Sequence, residues 1–474
     1  MEAVDNPMTI SMPDISATDS SGTIAAISTP PGEGGVGIVR LSGPRALAIA
    51  SSLFASSRGI ALETARQRVF YGHVRAANGE PIDEVLLHVM RAPHSYTRED
   101  VVEINAHGGA APLHAILEET LRAGARLAHP GEFTMRAFLN GRIDLVQAEA
   151  VIDVIRARTT TALHAAQSAA SGTLSKEIHT LRGLLVQALA QIEASLDFPE
   201  EDLPALLNTA VLARLAEVGE RMDALLATAE NGRLCREGAS AAIVGRPNVG
   251  KSSLFNALLR DARAIVSEHA GTTRDRIEEY INLAGIPVKL IDTAGVRDTG
   301  HEIERLGVER AREALRTSQL ILFVLDASAP DTQEDRDLAD ELAAQGTPVT
   351  VVLNKIDLAP NASPPSLPFN PTATIPTSAQ TGIGIGALED ALAQQLLGGA
   401  SLATHAPLLT RTHQTDSLRR ARCHLIPVLD GSANSPELMA VDLREALQAL
   451  GEITGETTPE DILGLIFSSF CIGK

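Results

Sequence analysis

The stretch Gly245-Arg246-Pro247-Asn248-Val249-Gly250-Lys251-Ser252 has the spacing of a phosphate-binding loop: two glycines four residues apart, the second followed by Lys and Ser. Glycines let a backbone fold around an anion with its N–H groups inward, and a following helix adds its dipole. The apolar run Ala241-Ala242-Ile243-Val244 before the loop reads as a buried strand, and Ser253 to Arg260 after it reads as a helix. That context separates a phosphate cradle from an ordinary glycine-rich turn. Asn248, Val249 and Gly250 line the cradle, and Ser253 opens the helix. Lys251 is placed to reach the β- and γ-phosphates and the Ser252 hydroxyl to hold Mg²⁺.

A phosphate loop does not choose a base. Asn354-Lys355-Ile356-Asp357, ending an apolar strand, does. The Asp357 carboxylate can accept the ring N–H and exocyclic amine of guanine, a pair adenine cannot offer, and a buried bidentate contact of this kind discriminates strongly. Lys355 can lie across the base, Asn354 can brace neighbouring loops, and Ser378-Ala379 is placed to lend a backbone N–H to the guanine oxygen. Asp292-Thr293-Ala294-Gly295 would meet Mg²⁺ through water at Asp292 and the γ-phosphate through the Gly295 N–H. Thr273, in Gly271-Thr272-Thr273-Arg274-Asp275, would complete the Mg²⁺ shell only while the γ-phosphate is present, which makes that segment a switch. Four guanine-nucleotide motifs in this order identify a GTPase domain. One position departs from the common pattern: Val296 stands where many GTPases carry Gln to orient the attacking water. The segment Arg297–Glu304 offers three acids for that role, Asp298, Glu302 and Glu304.

The elements that must carry these motifs follow from pattern and composition. A chain of 474 residues is long for a single core. Residues 1–22 are polar and acidic and are expected to be a disordered leader. Short β-rich runs with intervening helical patterns over 23–140 predict an α+β domain. Residues 141–237 become Ala- and Leu-rich at helical spacing, with Leu181, Leu184, Leu185, Ala188, Leu189 and Ile192 on one stripe. Residues 238–398 alternate apolar strands and helices, as in a doubly wound, mainly parallel sheet, with a surface loop over Ala359–Pro371. Helical character returns over 399–474, so the GTPase domain reads as an insertion into a helical domain.

The net charge of −19 argues against a protein that coats nucleic acid non-specifically. A cluster of Arg411, His413, Arg419, Arg420, Arg422 and His424 reads either as a local nucleic-acid phosphate contact or as a solvated helix face. Only five of 40 basic residues are Lys, and Lys251, Lys355 and Lys474 are three of them. No basic residue precedes Arg40, no apolar run approaches a membrane span, and three cysteines share no metal spacing; a cytoplasmic location without membrane association is expected. Thr458 is placed to N-cap a last apolar helix with Pro459 at its first position.

Thr29-Pro30-Pro31-Gly32-Glu33-Gly34-Gly35-Val36-Gly37, His129-Pro130-Gly131-Glu132-Phe133, the inserted GTPase domain and the final Cys471-Ile472-Gly473-Lys474 occur together. In that combination the chain resembles the MnmE (TrmE) family of tRNA-modification GTPases over nearly its whole length. The resemblance implies a homodimer working with a flavoprotein of the MnmG (GidA) family. Together they install a carboxymethylaminomethyl- or aminomethyl-type group at carbon 5 of the tRNA wobble uridine. It implies an N-terminal domain that dimerises and binds a tetrahydrofolate derivative of 5-formyl or methylene type, with Arg40, Glu103, Arg142 and Lys474 as the matching positions. Arg142 stands where the family often has Lys. It implies K⁺-stimulated GTP hydrolysis with dimerising GTPase domains, K⁺ being held by Asn248, Ser267, His269 and Thr272, and it selects Glu304 to organise the attacking water. Cys471 becomes a functional residue of open chemical role. The alternative classes, a ribosome-assembly GTPase or a signalling switch, share the nucleotide motifs but need neither a folate pocket nor a terminal Cys.

Overall fold

The computed structural model describes residues 22–59, 61–62, 68–197, 204–261, 278–292, 315–398, 406–433 and 435–474. The protein is multidomain, mixing α/β and all-helical parts, and its contacts divide it into two units, Met1–Ile152 with Leu447–Lys474 and Asp153–Ala446. Among the described residues no helix is long and apolar enough to cross a membrane.

The first unit holds strands β1 (Ile24–Ile27), β2 (Gly34–Ser42), β3 (Phe54–Ser56), β4 (Val69–Arg75), β5 (Pro81–Met90), β6 (Val101–Gly108) and β7 (Arg126–Leu127). They form one sheet in the order β3-β4-β5-β6-β2-β1-β7, antiparallel except for the β1–β7 pair. The short β3 and β7 are too brief to register as strands in the sequence pattern. Alternation sets the faces: Val102, Ile104 and Ala106 are buried, while Glu103, Asn105 and His107 lie on the other side. Helices α1 (Ala46–Leu53) and α2 (Ala110–Arg122) close the buried face with Ile49, Leu113 and Ile116. On the opposite face the register sets Arg40 beside Glu103, and Glu103 beside His88. Helix α3 (Glu132–Leu139) packs with the helix Glu460–Ser468, where the Phe138 and Phe467 rings lie 6.1 Å apart. Thr458 does not cap that helix; its hydroxyl donates to the Glu452 carbonyl at 2.9 Å, and Pro459 takes the N-cap position.

Helix α4 (Leu145–Arg156) leads toward the second unit's α5 (Thr160–Ala170), α6 (Thr173–Asp197), α7 (Pro204–Leu226) and α8 (Ala229–Glu237). The stripe on α6 is real: Leu181, Leu185, Ala188 and Ile192 are buried, each large aliphatic contributing about 1.5–3 kcal/mol. Helix α7 packs on α6 and on the later helix Thr412–Leu429. A second sheet comprises β8 (Ala239–Val244), β9 (Glu278–Leu283), β10 (Ile286–Asp292), β11 (Leu320–Asp326), β12 (Val349–Asn354) and β13 (Ala373–Pro376). Its order is β13-β12-β11-β8-β10-β9, parallel throughout except for the β9–β10 hairpin. The continuous apolar runs of β11 and β12 are those of strands buried on both faces. Helices α9 (Lys251–Asp261), α10 (Gln333–Gln345) and α11 (Ile385–Leu397) flank this sheet, followed by α12 (Thr412–Leu429) and α13 (Pro436–Thr454). The Ala359–Pro371 stretch is more than a surface loop, because Leu367 and Phe369 pack onto the core between β11, β12 and α10.

The turn of the β9–β10 hairpin meets the start of α5. Thr159 caps α5 by accepting the Ala162 N–H at 3.0 Å, and its hydroxyl donates to the Gly285 carbonyl at 2.7 Å. Beside it the Arg158 guanidinium stacks over the Tyr280 ring, 3.4 Å from its centroid.

Candidate functional site

The loop from Gly245 to Gly250 joins the end of β8 to the start of α9, the position at which an open α/β sheet binds ligands. Gly250 has φ +98°, and a Cβ there would run into the side-chain amide of Asn354. Only glycine fits. Val249 is fully buried and its carbonyl accepts from Asn354 Nδ2 at 2.8 Å. Lys251 Nζ donates to the Gly245 and Arg246 carbonyls at 2.9 Å each, which ties the ammonium to the loop that would hold phosphate. Ser252 Oγ lies 3.2 Å from Asp292 Oδ2, so two hard oxygen donors from separate motifs converge beside the loop. Ser253 is exposed on the first turn of α9.

The base-recognition residues cross-link the loops around them. Asn354 is buried at the end of β12; its amide donates to Val249 O and its carbonyl oxygen accepts the Ala379 N–H at 3.0 Å. Lys355, at φ +64°, donates from Nζ to Asn248 O at 2.8 Å and to Asp326 Oδ2 at 2.7 Å. Burial opposes ionisation of Asp326, but hydrogen bonds from Lys355 and Ser328 outweigh it and hold the carboxyl below its ordinary range. The exposed Asp357 carboxylate makes no hydrogen bond among the described residues. It is the uncommitted acceptor in this set. One expected contact differs: the Ser378 N–H donates to Ile383 O at 2.8 Å and the Ala379 N–H to Asn354, so this pair fixes its loop rather than offering a free donor. Ser267, His269, Thr272, Thr273, Thr293, Ala294, Gly295 and Glu304 lie outside the described residues.

A second polar cluster occupies the first unit. Arg40 Nε and Nη2 both lie 2.8 Å from Glu103 Oε1, while Arg40 Nη1 donates to Gly473 O at 3.1 Å. Ser28 Oγ donates to the same carbonyl at 3.1 Å. The final tetrapeptide is held from its other side by the Gly131 N–H on Cys471 O, 3.3 Å, and the Phe133 N–H on Lys474 O, 3.2 Å. The two sequence signatures 129–133 and 471–474 are therefore one structure. Gly473, at φ +91°, packs where a Cβ would meet the Ile27 carbonyl. Burial, then the charge of Arg40, lowers the Lys474 amine below its ordinary value against the pull of Glu103 and Cys471. Arg142 is exposed and stacks on the Tyr96 ring at 4.7 Å, and Arg40 lies 5.9 Å from that ring's centroid and 5.6 Å from Phe133's. Cys471 is exposed.

Glu132, 1% exposed, underpins this cluster. It accepts from Arg126 at 2.9 and 2.6 Å, from Arg136 at 3.0 Å and from the His129 N–H at 2.9 Å. Burial opposes its ionisation, yet these donors prevail and lower its carboxyl below the ordinary range.

The basic cluster on α12 is largely paired within the protein. Arg411 meets Asp153 at 2.8 Å, Arg419 meets Asp416 at 3.1 Å, Arg422 meets Asp223 at 2.9 Å and His424 meets Asp442 at 3.1 Å. Sequence reasoning missed Asp326, which orients Lys355; Arg246, whose Nε lies 3.0 Å from Asp335 Oδ2; and Tyr96. For Asp326 a signal existed, since a carboxylate ending a buried parallel strand sits where such sheets place ligands. Arg246 and Tyr96 carried none, because their partners are distant in the chain.

Comparison with known proteins places these sites in context. A family profile described as "MnmE helical domain" matches residues 145–471, and one described as "GTP-binding protein TrmE N-terminus" matches residues 23–142. The chain is 51% identical over 460 residues to a tRNA modification GTPase MnmE of Chloroflexus aurantiacus, covering 95% of this chain and 99% of that one. It is 48% identical to the protein of that name from Geobacter sulfurreducens, over 95% of this chain and 99% of that one. With the protein of that name from Enterococcus faecalis it shares 46% identity over 97% of this chain and all of that one.

Proposed function

From the premise that this chain belongs to the MnmE family of tRNA modification GTPases, we propose that it hydrolyses GTP in a K⁺-stimulated cycle that drives tetrahydrofolate-dependent modification of the tRNA wobble uridine. That it is a GTPase acting in tRNA modification follows from the family itself. The observation that carries the nucleotide reading is the Asn354 bridge, which ties the phosphate loop at Val249 to the base loop at Ala379. Beside it, the uncommitted Asp357 carboxylate supports guanine recognition. The Ser252–Asp292 oxygen pair fits Mg²⁺, which when bound neutralises charge on the β- and γ-phosphates.

In the proposed mechanism the backbone N–H groups of 248–252 and the Lys251 ammonium hold the phosphates. Gly295, Thr293 and Ala294 would contact the γ-phosphate, Thr273 would complete the Mg²⁺ shell, and Ser267, His269 and Thr272 with Asn248 would hold K⁺. A monovalent cation held there would supply the charge that an arginine finger supplies in other GTPases. Glu304 orients the attacking water, because Val296 cannot. GTPase domains (238–398) pair on GTP binding, inserted in a helical domain (141–237 and 399–474), while domain 23–140 dimerises. In that domain Glu103 would accept from the pterin N–H edge, Arg40, Arg142 and Lys474 would hold the rest of the folate, and Cys471 would take part in the modification chemistry. A flavoprotein of the MnmG family completes the reaction on carbon 5 of the uridine.

The test is GTP hydrolysis by the purified protein in K⁺ and in Na⁺ at equal ionic strength, with Glu304→Ala alongside. Stimulation by K⁺ of about tenfold or more, lost in the variant while GTP still binds, is expected. Equal rates in the two salts would sink the cation role given to Asn248.

A further inference from the structure

The Arg40 cluster sets Arg40 and Lys474 beside the Glu103 carboxylate, and Arg142 shares the Tyr96 ring with Arg40, in a chain of net charge −19. Arg40 is committed to Glu103 and to the Gly473 carbonyl. The Arg142 side chain is not: its one contact among the described residues is the Tyr96 ring. With its guanidinium carbon 4.7 Å from the ring centroid, Arg142 keeps N–H donors that pair with no acceptor among the described residues, in the fork geometry that matches a carboxylate.

Tyr96 is itself immobilised. Its hydroxyl shares a hydrogen bond with Thr134 Oγ1 at 3.0 Å, and the ring packs on the Ile24, Ala26 and Phe133 cluster. The next residue, Thr97, is fully buried; its hydroxyl lies 2.6 Å from Ser42 Oγ and its carbonyl accepts from Asn140 Nδ2 at 2.6 Å. A fixed ring therefore holds an exposed, otherwise unpaired arginine. A free arginine side chain carries about 2 kcal/mol of rotamer entropy, part of which the stack removes before any ligand arrives.

We propose that Tyr96 is a positioning residue that presents Arg142 to a carboxylate of the folate's glutamyl tail. The proposal rests on the folate reading of this cluster and adds an orientation to it: pterin toward Glu103, tail toward the exposed Arg142. It also accounts for arginine at position 142, since a planar cation stacks on Tyr96 and forks a carboxylate, while an ammonium does neither as well.

Calorimetry on the full chain tests this with 5-formyltetrahydrofolate and its glutamyl diamide, in which both tail carboxylates become neutral amides. The wild type is expected to prefer the acid by about tenfold, the value of a charge-assisted pair at a partly exposed site. Tyr96→Leu should lose about five- to tenfold for the acid and much less for the diamide, and Tyr96→Phe should restore the preference. Equal losses for both ligands in Tyr96→Leu, or no wild-type preference, would overturn the proposal. Should Tyr96→Leu melt early in circular dichroism, Arg142→Gln reads the same preference from the rim: its loss supports the assignment, its persistence overturns it. A wild type that binds neither ligand removes the folate reading and this proposal with it.

Discussion

Around the phosphate loop, side chains close on backbone carbonyls, Asn354 on Val249 O, Lys355 on Asn248 O and Lys251 on Gly245 O, with the Lys355–Asp326 pair beside them. Around Arg40, charged side chains meet one another, and the pieces come from positions as distant as 40, 103, 132 and 473. The first design requires above all particular backbone conformations. The second requires particular charges, and a buried ion cluster is its foundation. The difference teaches where each site is brittle.

The largest expected effect tests the ionic side. Glu132→Gln leaves Arg126 without its carboxylate and the buried Arg136 with Glu99 alone, and breaking such a cluster costs up to about 3–5 kcal/mol, read from thermal and urea melts. The sign with pH is definite. The folded pKa of Glu132 is depressed, so its contribution is fully present above the ordinary glutamate value and is lost as pH falls through the lower folded value. Acid titration of stability should be visibly flatter in the variant than in the wild type; parallel curves would deny Glu132 this role. On the backbone side, Gly250→Ala combines a φ of +98° with a clash at Asn354, a strain of about 1–3 kcal/mol, or roughly ten- to 100-fold in affinity for a fluorescent GTP analogue. Asn354→Ala leaves Val249 O and the Ala379 N–H unpaired at about 1–3 kcal/mol, and its loss of GTP affinity should persist unchanged between pH 6 and 8, where an ionic site could shift. The smallest change sharpens the contrast from the other direction. Arg98 holds φ +59° and donates to Asn140 O at 2.9 Å, so Arg98→Gly trades relieved backbone strain for a lost hydrogen bond and should move stability by less than about 1 kcal/mol.

The same contrast governs how much the sequence disclosed. The phosphate loop, the Asn354–Asp357 motif and Asp292 are contiguous, and their order along alternating strands and helices marks both fold and nucleotide. Apolar periodicity likewise gave the α6 stripe and the buried strands. The Arg40 site is assembled by sheet register, which no local pattern encodes: Glu103 reaches Arg40 because β2 and β6 are neighbours, and Gly473 reaches Arg40 from the other end of the chain. Family resemblance named those residues; spacing alone left them as ordinary strand charges. Tyr96 escaped even that, since a tyrosine in a turn-rich segment resembles any core aromatic until the ring is seen beneath Arg142. The Thr458 cap failed for a local reason, because its hydroxyl found the Glu452 carbonyl instead.

The β9–β10 hairpin has a mechanical consequence. Its open end holds Asp292, opposite Ser252, and its turn is tied to α5 by the Thr159–Gly285 hydrogen bond, with the Arg158–Tyr280 stack partway along β9. Between them runs an unbroken antiparallel ladder of six paired positions, a rod about 20 Å long. A rod pinned at both ends does not absorb motion as a loop would. The ladder thus forms a stiff link between the nucleotide end of the sheet and the first turn of α5.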